Sequence, residues 1–234
     1  MKVLILNSGL GTRLGELTKE HPKCMTPLKG EETILSRQLE IIKNAGLKDV
    51  VITTGYFDKV LVEYCNSLGL PLNFEFVLNP SYDSTNYIYS IYCAEKAIRD
   101  DDLILMHGDL VFDQSVFEEV LNSKKSCMTV SSTVALPEKD FKAVLEGDRI
   151  TKVGIEFFDN AVAAQPLYKL SKDDWNKWLD KICEYCETNN RKCYAENAFN
   201  EISDECKIYP LDVKDALCSE IDTCEDWENI KKKL

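Results

Sequence analysis

The stretch KVLILNSGLGTRLGELTKEHPKCM, residues 2–25, decides how this chain begins to fold. The apolar run from Val3 to Leu6 predicts a first strand that is buried on both faces. Three glycines follow within seven residues, and glycine is used where the backbone needs special dihedrals or must let another group approach closely. Arg13 and Lys23 stand around this turn, so we expect the approaching group to be an anion.

Length and charge limit the classes of protein to consider. The chain has 234 residues, enough for a large core, and its net charge of −12 argues against a nucleic-acid partner, which needs a basic face. A small phosphorylated ligand needs only a few local cations. No apolar run is long enough for a bilayer or a signal peptide, so we expect a cytoplasmic protein without a membrane partner.

The ten cysteines are spread over segments that look like helices and strands. In a reducing compartment such cysteines are expected to be buried hydrophobic groups or free thiols. Cys183 and Cys186 form a C-x-x-C pattern followed by Cys193, but neither histidine is near enough in sequence to complete a zinc site. We therefore interpret these cysteines as structural.

Strands and helices alternate through the first half of the chain. Apolar runs predict strands at 49–55, 72–79 and 102–109, and helical spacing predicts helices at 33–45, at 57–68 and from near Thr85. This order indicates an α/β fold, a Rossmann-like mixed, mainly parallel sheet flanked by helices. Ligands of such sheets bind beyond the carboxyl ends of the strands, where we expect the glycine loop, Asn79 and Asp109 to meet.

The second half has a different pattern. Residues 127–136, 141–157 and 161–170 look like strands and hairpins, and residues 173–186 and 196–202 like helices. No linker, repeat or low-complexity stretch separates the halves. We expect a single domain over residues 1–234, with a first half at about 1–125 and a second half at about 126–234.

The glycine loop matches one anion-binding pattern better than two others. The dinucleotide fingerprint fails at its third glycine, where Leu14 stands, and no Lys-Ser/Thr pair follows as a P-loop requires. The loop reads G-x-G-T-R-L and is followed by Pro22 and Lys23. It resembles the signature of the sugar-nucleotidyltransferase superfamily, in which a G-x-G-T/S-R loop holds the nucleotide phosphates and a later Pro-Lys supplies a catalytic lysine.

Four later segments narrow the resemblance. NPSYDSTNYIYSIY (79–92) is similar to the Asn-rich segment of bacterial phosphocholine and 2-aminoethylphosphonate cytidylyltransferases, and MHGDLVF (106–112) to their strand ending in a metal-binding Asp. YAENAFN (194–200) resembles their acceptor-side segment and SEIDTCEDWENI (219–230) their closing E-I-D segment. The larger sugar enzymes carry a glycine-rich Glu-Lys-Pro element, which VGIEFFDNAVAAQPLY (153–168) lacks.

The resemblance implies transfer of CMP from CTP to 2-aminoethylphosphonate, phosphocholine or a similar small acceptor, with release of pyrophosphate. A sugar-1-phosphate nucleotidyltransferase and a non-catalytic nucleotide-binding regulatory module remain as alternatives, and a homodimer is left open. Lys23 and Arg13 would be the catalytic cations that neutralise the phosphates. The residues expected to bind the nucleotide, the last four of them at the cytosine, are Leu6, Ser8, Gly9, Gly11, Thr12, Arg13, Lys23, Asn79, Ser84, Thr85 and Asn86.

Three carboxylates are candidates for Mg²⁺, a hard cation that prefers oxygen ligands: Asp109, Glu220 and Asp222. The residues after Asp109 look like a strand, which disfavours a helix cap there, whereas Asp222 could cap the last helix instead. An ammonium-bearing acceptor favours aromatic faces and a carboxylate. The candidates for the acceptor pocket are His107, Phe141, Lys142, Tyr194 and Glu196.

Overall fold

The first strand lies in the middle of the main sheet of the computed structural model, which describes residues 1–234. Strand β1 (Lys2–Leu6) pairs in parallel with β4 (Asp49–Thr54) and with β6 (Leu103–His107), and β5 (Asn73–Leu78) continues the parallel part beyond β4. Val3 and Ile5 belong to one hydrophobic core, and Leu4 and Leu6 to the other. The prediction of a strand buried on both faces is therefore confirmed.

The second half of the chain extends the same sheet with antiparallel strands. The long strand β11 (Ala161–Leu170) runs antiparallel to β6 and also pairs with β8 (Cys127–Ser131) and β9 (Lys142–Glu146). The outer strands are β10 (Arg149–Gly154), beside β9, and β12 (Tyr209–Asp212), which is parallel to β8. The result is a nine-stranded mixed sheet. It confirms the predicted fold class.

Helices cover both faces of this sheet. Their bounds are α1 (Ile34–Asn44), α2 (Asp58–Ser67), α3 (Tyr87–Cys93), α4 (Glu95–Ile98), α5 (Gln114–Asn122), α6 (Lys172–Glu187), α7 (Ala195–Ile202) and α8 (Cys224–Lys231). The helix expected from near Thr85 begins two residues later, because the Asn86 side chain caps it by accepting from the amide of Tyr87. No helix has the length and apolar composition needed to cross a membrane. All ten cysteines are unpaired, as predicted.

Small elements complete the region around the glycine loop. They are two short 3₁₀ helices (Thr12–Thr18 and Lys23–Met25) and the strands β2 (Pro27–Lys29), β3 (Glu32–Thr33), β7 (Leu110–Phe112) and β13 (Cys218–Glu220). β7 and β13 form an antiparallel pair in which Glu220 lies opposite Leu110. This pairing brings the C-terminal carboxylates to the end of β6, although β13 ends at Glu220 and does not include Asp222.

Gly55 allows the end of β4 to pack against the glycine loop. A Cβ at this position would lie 2.3 Å from the carbonyl oxygen of Ser8, a backbone atom that cannot move aside without moving the loop. A Cβ on Gly9, at the same edge of the sheet, would meet no atom within 4 Å, and neither glycine has a left-handed φ. Packing thus requires glycine at position 55. Position 9 is the matched control, because a Cβ there would meet no other atom.

We predict that Gly55→Ala lowers the free energy of unfolding by about 1–3 kcal/mol, the usual cost of overpacking. Gly9→Ala should change it by about 0.5 kcal/mol or less, as at an uncrowded surface site. Urea denaturation of the two variants and the parent protein measures both effects. Equal stability of the two variants would show that the loop gives way to the added methyl group.

Candidate active site

One cleft of about 480 Å³ opens at the carboxyl ends of the parallel strands. Most of the residues predicted for the site line it, and they come from both halves of the chain. These are Leu6, Ser8, Gly9, Gly11, Thr12, Arg13, Lys23, Asn79, Thr85, Asn86, His107, Asp109, Phe141, Tyr194, Glu220 and Asp222. The structure therefore brings together the nucleotide, metal and acceptor candidates, with three exceptions described below.

The glycine loop presents free backbone donors to this cleft. The amides of Gly9, Leu10 and Gly11 donate no hydrogen bond within the protein. Gly11 has the left-handed φ of 65°, and its carbonyl oxygen accepts from the Thr18 hydroxyl at 2.9 Å, which closes the turn. Consecutive backbone amides in such a turn form a concave site for anions.

Lys23 connects the loop to two carboxylates from distant parts of the chain. Its Nζ lies 2.6 Å from Asp109 Oδ2 and 2.5 Å from Asp222 Oδ1, and all three side chains are largely buried. Arg13 donates to the other oxygen of Asp222 at 2.8 Å. Thr223, not Asp222, caps α8, so the helix-cap alternative for Asp222 is wrong. Both predicted catalytic cations thus face the predicted metal ligands.

His107 and Glu220 form a second ion pair beside Asp109. The His107 Nδ1 lies 2.9 Å from Glu220 Oε1. Burial alone would lower the pKa of His107, but the hydrogen bond and charge of Glu220, with the nearby carboxylates, raise it to about 9. Burial, and then the charge of Asp109, raise the pKa of Glu220.

The donor atoms here suit a divalent cation. Ligand atoms of His107, Asp109 and Glu220 lie within 4.8 Å of one another, and Asp109 Oδ1 is buried without any hydrogen-bond partner. The ammonium of Lys23 is placed between Asp109 and Asp222, where two carboxylates require a positive charge. Carboxylate oxygens are the ligands that Mg²⁺ prefers.

A hydrogen-bonded network supports the other end of the cleft. The Ser8 hydroxyl bonds to those of Thr53 (3.0 Å) and Ser90 (2.7 Å), and Asn79 Nδ2 donates to Ser90 (3.0 Å) and Thr85 (3.1 Å). Asn79 Oδ1 also accepts from the amide of Ser81 at 2.8 Å, so both Nδ2 protons and one Oδ1 acceptor position have partners within the protein. Asn79 therefore shapes this wall of the cleft.

Ser84, which was predicted to contact the cytosine, does not line the cleft. It is exposed, and its hydroxyl donates to the carbonyl oxygen of Ser81 at 3.4 Å. Thr85 remains at the cleft, where its hydroxyl donates to Ser81 at 2.7 Å.

Four rings form what we call the aromatic box: Tyr87, His107, Phe141 and Tyr194. Each ring contacts two others, with centroid separations of 4.7 Å (Tyr87–His107), 5.9 Å (Tyr87–Tyr194), 5.2 Å (Phe141–Tyr194) and 6.3 Å (His107–Phe141). All four line the cleft. Ring faces of this kind attract cations, above all those that are weakly hydrated.

Lys142 and Glu196, both predicted to line the acceptor pocket, do not reach the cleft. Lys142 is fully buried, and its Nζ donates to the carbonyl oxygens of Pro137 (2.6 Å) and Asp140 (3.1 Å). Glu196 is 1% exposed and lies behind the box, where its oxygens accept hydrogen bonds from the phenols of Tyr87 and Tyr168.

Sequence reasoning missed eight residues that line the cleft: Asn7, Leu10, Tyr82, Tyr87, Ser90, Lys139, Asp140 and Ile155. Asn7 and Leu10 stand inside the glycine loop already singled out. Tyr87 follows the predicted Asn86, and Lys139 and Asp140 directly precede the predicted Phe141. Lys139, Asp140 and Phe141 line the cleft consecutively because they precede β9, so strand alternation does not apply to them.

Comparison with known proteins assigns the family. The profile of the MobA-like NTP transferase domain matches residues 3–168, and the chain belongs to this family. This confirms the predicted membership of the nucleotidyltransferase superfamily.

Two relatives and one solved structure have names that refer to CTP or CMP. The chain is 32% identical to the CTP:phosphoglutamine cytidylyltransferase of Campylobacter jejuni over 65% of its own length and 62% of the relative's. It is 28% identical to the CMP-5′-(3-aminopropyl)phosphonate synthase of Streptomyces rubellomurinus over 58% of its own length but only 22% of the relative's. A solved structure of CTP:phosphocholine cytidylyltransferase from Streptococcus pneumoniae has the same fold, with a TM-score of 0.78, 19% identity, and coverage of 99% of this chain and 98% of that one.

We predict that His107 titrates near pH 9 in the metal-free protein and that Glu220→Gln lowers this pKa, because the partner carboxylate is lost. In the unfolded chain, the pKa of His107 is about 6.5. The charged imidazole therefore adds its full contribution to the free energy of unfolding below about pH 6.5, and this contribution is lost as the pH rises through about 9. Imidazole ¹⁵N NMR in the presence of EDTA measures the titration. A His107 pKa near 6.5 in the parent protein would contradict the ion pair.

Proposed function

We propose that this protein is a cytidylyltransferase that transfers CMP from CTP to a small acceptor, releasing pyrophosphate. The acceptor carries a phosphate or phosphonate group and an ammonium group. The observation that carries the proposal is the continuity of the cleft. Anion donors, convergent carboxylates and an aromatic box lie along one opening, in the order in which the triphosphate, the reacting phosphorus and the acceptor's head group would follow.

The glycine loop and the two cations suit the triphosphate. The free amides of Gly9 to Gly11 can receive phosphate oxygens where side chains would intrude. The planar guanidinium of Arg13 fits two oxygens of the β- and γ-phosphates, and the ammonium of Lys23 can neutralise the α-phosphate. Both cations exchange a carboxylate partner for a phosphate partner when the nucleotide enters.

The reaction requires little proton transfer. An acceptor oxygen, already anionic near neutral pH, attacks the α-phosphorus of CTP, and the bond from that phosphorus to the oxygen bridging to the β-phosphate breaks. Pyrophosphate leaves with the electron pair. The main barrier is to bring anions together in line, so Lys23 and Arg13 act by positioning and charge neutralisation.

Mg²⁺ fits the proposed mechanism, with Asp109 and Asp222 as ligands and Glu220 beside them. When bound, it would supply positive charge to the phosphate oxygens at the reacting centre. The unpartnered Asp109 Oδ1 and the ammonium already placed between the two aspartates support this assignment.

The assignment of cytosine as the base is supported by the names of similar proteins. The assignment of an ammonium-bearing acceptor is supported by those names and by the aromatic box. The three proteins reported above are named for CTP or for a CMP product, and two of their acceptors, aminopropylphosphonate and phosphocholine, bear an ammonium group. The box is suited to such a head group. A sugar phosphate would instead require hydroxyl-binding polar groups at this wall.

The division into a nucleotide half (about 1–125) and an acceptor half (about 126–234) remains a proposal. The main sheet contains strands from both halves, and the aromatic box takes two rings from each. A regulatory module without catalysis is disfavoured because Arg13, Lys23, Asp109 and Asp222 all meet in one place.

We predict that pyrophosphate release requires CTP and an ammonium-bearing acceptor. The measurement is a panel of four nucleoside triphosphates against phosphocholine, 2-aminoethylphosphonate and glucose-1-phosphate, each with Mg²⁺. Asp109→Asn is the matched inactive control and should lower turnover by about 100-fold or more, as expected for the loss of a group that stabilises charge. Preference for glucose-1-phosphate would favour the sugar-nucleotide alternative, and release in no combination would favour a regulatory module.

A further inference from the structure

Glu196 is a buried carboxylate that the proposed reaction does not use. It lies in the first turn of α7 and is 1% exposed. Its two oxygens accept hydrogen bonds from two neutral phenols, one from Tyr87 and one from Tyr168, the latter at 2.8 Å. Carboxylates are almost never fully buried unless a cation balances them. Here the protein provides donors but no cationic partner.

The two tyrosines differ in what lies on their other side. Tyr168 is 1% exposed, packs against Trp178 with centroids 5.5 Å apart, and has no face on the cleft. Tyr87 lines the cleft and is a member of the aromatic box. Glu196 is therefore fixed from behind by Tyr168 and is joined to the box by Tyr87.

Both phenols remain donors over the working range of pH. Burial, and then the charge of Glu196, raise the pKa of Tyr87 and of Tyr168 well above the ordinary value. A phenol that donates to a carboxylate has a more electron-rich ring, and the attraction of a ring for a cation grows with the negative charge of its face. The hydrogen bond also holds the Tyr87 ring in one orientation.

The one charged ring of the box, His107, has its own partner. It pairs with Glu220 at 2.9 Å, and Glu196 is the weakest of the carboxylates that raise its pKa. Glu196 forms no ion pair, so its negative charge also acts on whatever occupies the box. The electrostatic interaction between Glu196 and a cation on the other side of the Tyr87 ring is strengthened by the low dielectric constant of the protein interior.

We propose that Glu196 is a positioning residue that sets the specificity of the box for a cationic head group, acting through Tyr87. This inference rests on the proposed function and extends it. Glu196 does not touch the acceptor. It holds the Tyr87 wall in place and adds the charge that makes an ammonium group preferable to an uncharged group of the same shape.

The test compares two acceptors that differ in charge alone. Phosphocholine and 3,3-dimethylbutyl phosphate have the same shape, but only the first carries a positive head group. For the parent protein we expect the ratio of their kcat/KM values to favour phosphocholine. Glu196→Gln should lower this ratio about tenfold, through the KM of phosphocholine, and leave the KM of CTP unchanged.

Two phenylalanine variants each remove one of the phenols that donate to Glu196. Tyr87→Phe keeps the ring but cuts its link to Glu196, so it should lower the ratio as Glu196→Gln does. Tyr168→Phe removes the donor that has no face on the cleft, and it should change the ratio by about twofold or less. If Glu196→Gln does not fold, Tyr87→Phe provides the test alone.

A binding measurement separates this inference from the proposed function. Tetramethylammonium, titrated by NMR in the absence of nucleotide, should bind the parent protein and bind Glu196→Gln about tenfold more weakly. An equal loss of kcat/KM for both acceptors with unchanged tetramethylammonium binding would overturn the inference. Absence of any pyrophosphate release by the parent protein would overturn the proposed function, while the tetramethylammonium result would still decide the role of Glu196.

Discussion

The ammonium of Lys23, between Asp109 and Asp222, is the contact on which the arrangement of the cleft depends. The two carboxylates lie 86 and 199 residues away from Lys23 along the chain. Brought this close without a cation, they would repel each other strongly in a partly buried site. The positive charge of Lys23 therefore stabilises the meeting of the β7–β13 pair and the end of β6 at the glycine loop.

A second buried carboxylate, Glu196, lies behind the wall of the cleft, and its surroundings differ from those of Asp109. Around Asp109, protein cations balance the carboxylates and are available to phosphates when a nucleotide binds. Behind the aromatic box, Glu196 accepts hydrogen bonds from Tyr87 and Tyr168 and forms no ion pair. One end of the cleft is thus prepared for anions and the other for a cation. A zwitterionic acceptor, with a phosphorus oxyanion and an ammonium group, would be matched at both ends.

The sequence contained enough to predict the fold and the anion-binding end. Local signals determined these parts: an apolar run for β1, Thr33 as the cap of α1, and Gly46 with a φ of 80° after it. The meeting of Asp109 with the loop follows from the rule that parallel strands end at one edge. These features depend on residue type and spacing, which a single sequence shows.

The acceptor end could be predicted only in part, because there the direction of each side chain matters. Lys142 and Glu196 belong to segments that were correctly selected, but each points away from the cleft. Lys142 donates to backbone carbonyl oxygens and Glu196 accepts from two phenols, so tertiary contacts set both directions. Glu196 is hydrogen-bonded to Tyr87, 109 positions away in the sequence, and to Tyr168, 28 positions away. No local sequence pattern indicates these contacts.

The central claim is that Lys23 occupies the position of a divalent cation until a nucleotide attracts its ammonium. Lys23→Met should therefore bind Mn²⁺ more tightly than the parent protein in the absence of nucleotide, by about tenfold, or 1.4 kcal/mol. Electron paramagnetic resonance of free Mn²⁺ measures this affinity. Lys19→Met is the control and should have no effect, because Lys19 is exposed and pairs with Glu16. Equal or weaker Mn²⁺ binding by Lys23→Met would contradict the account.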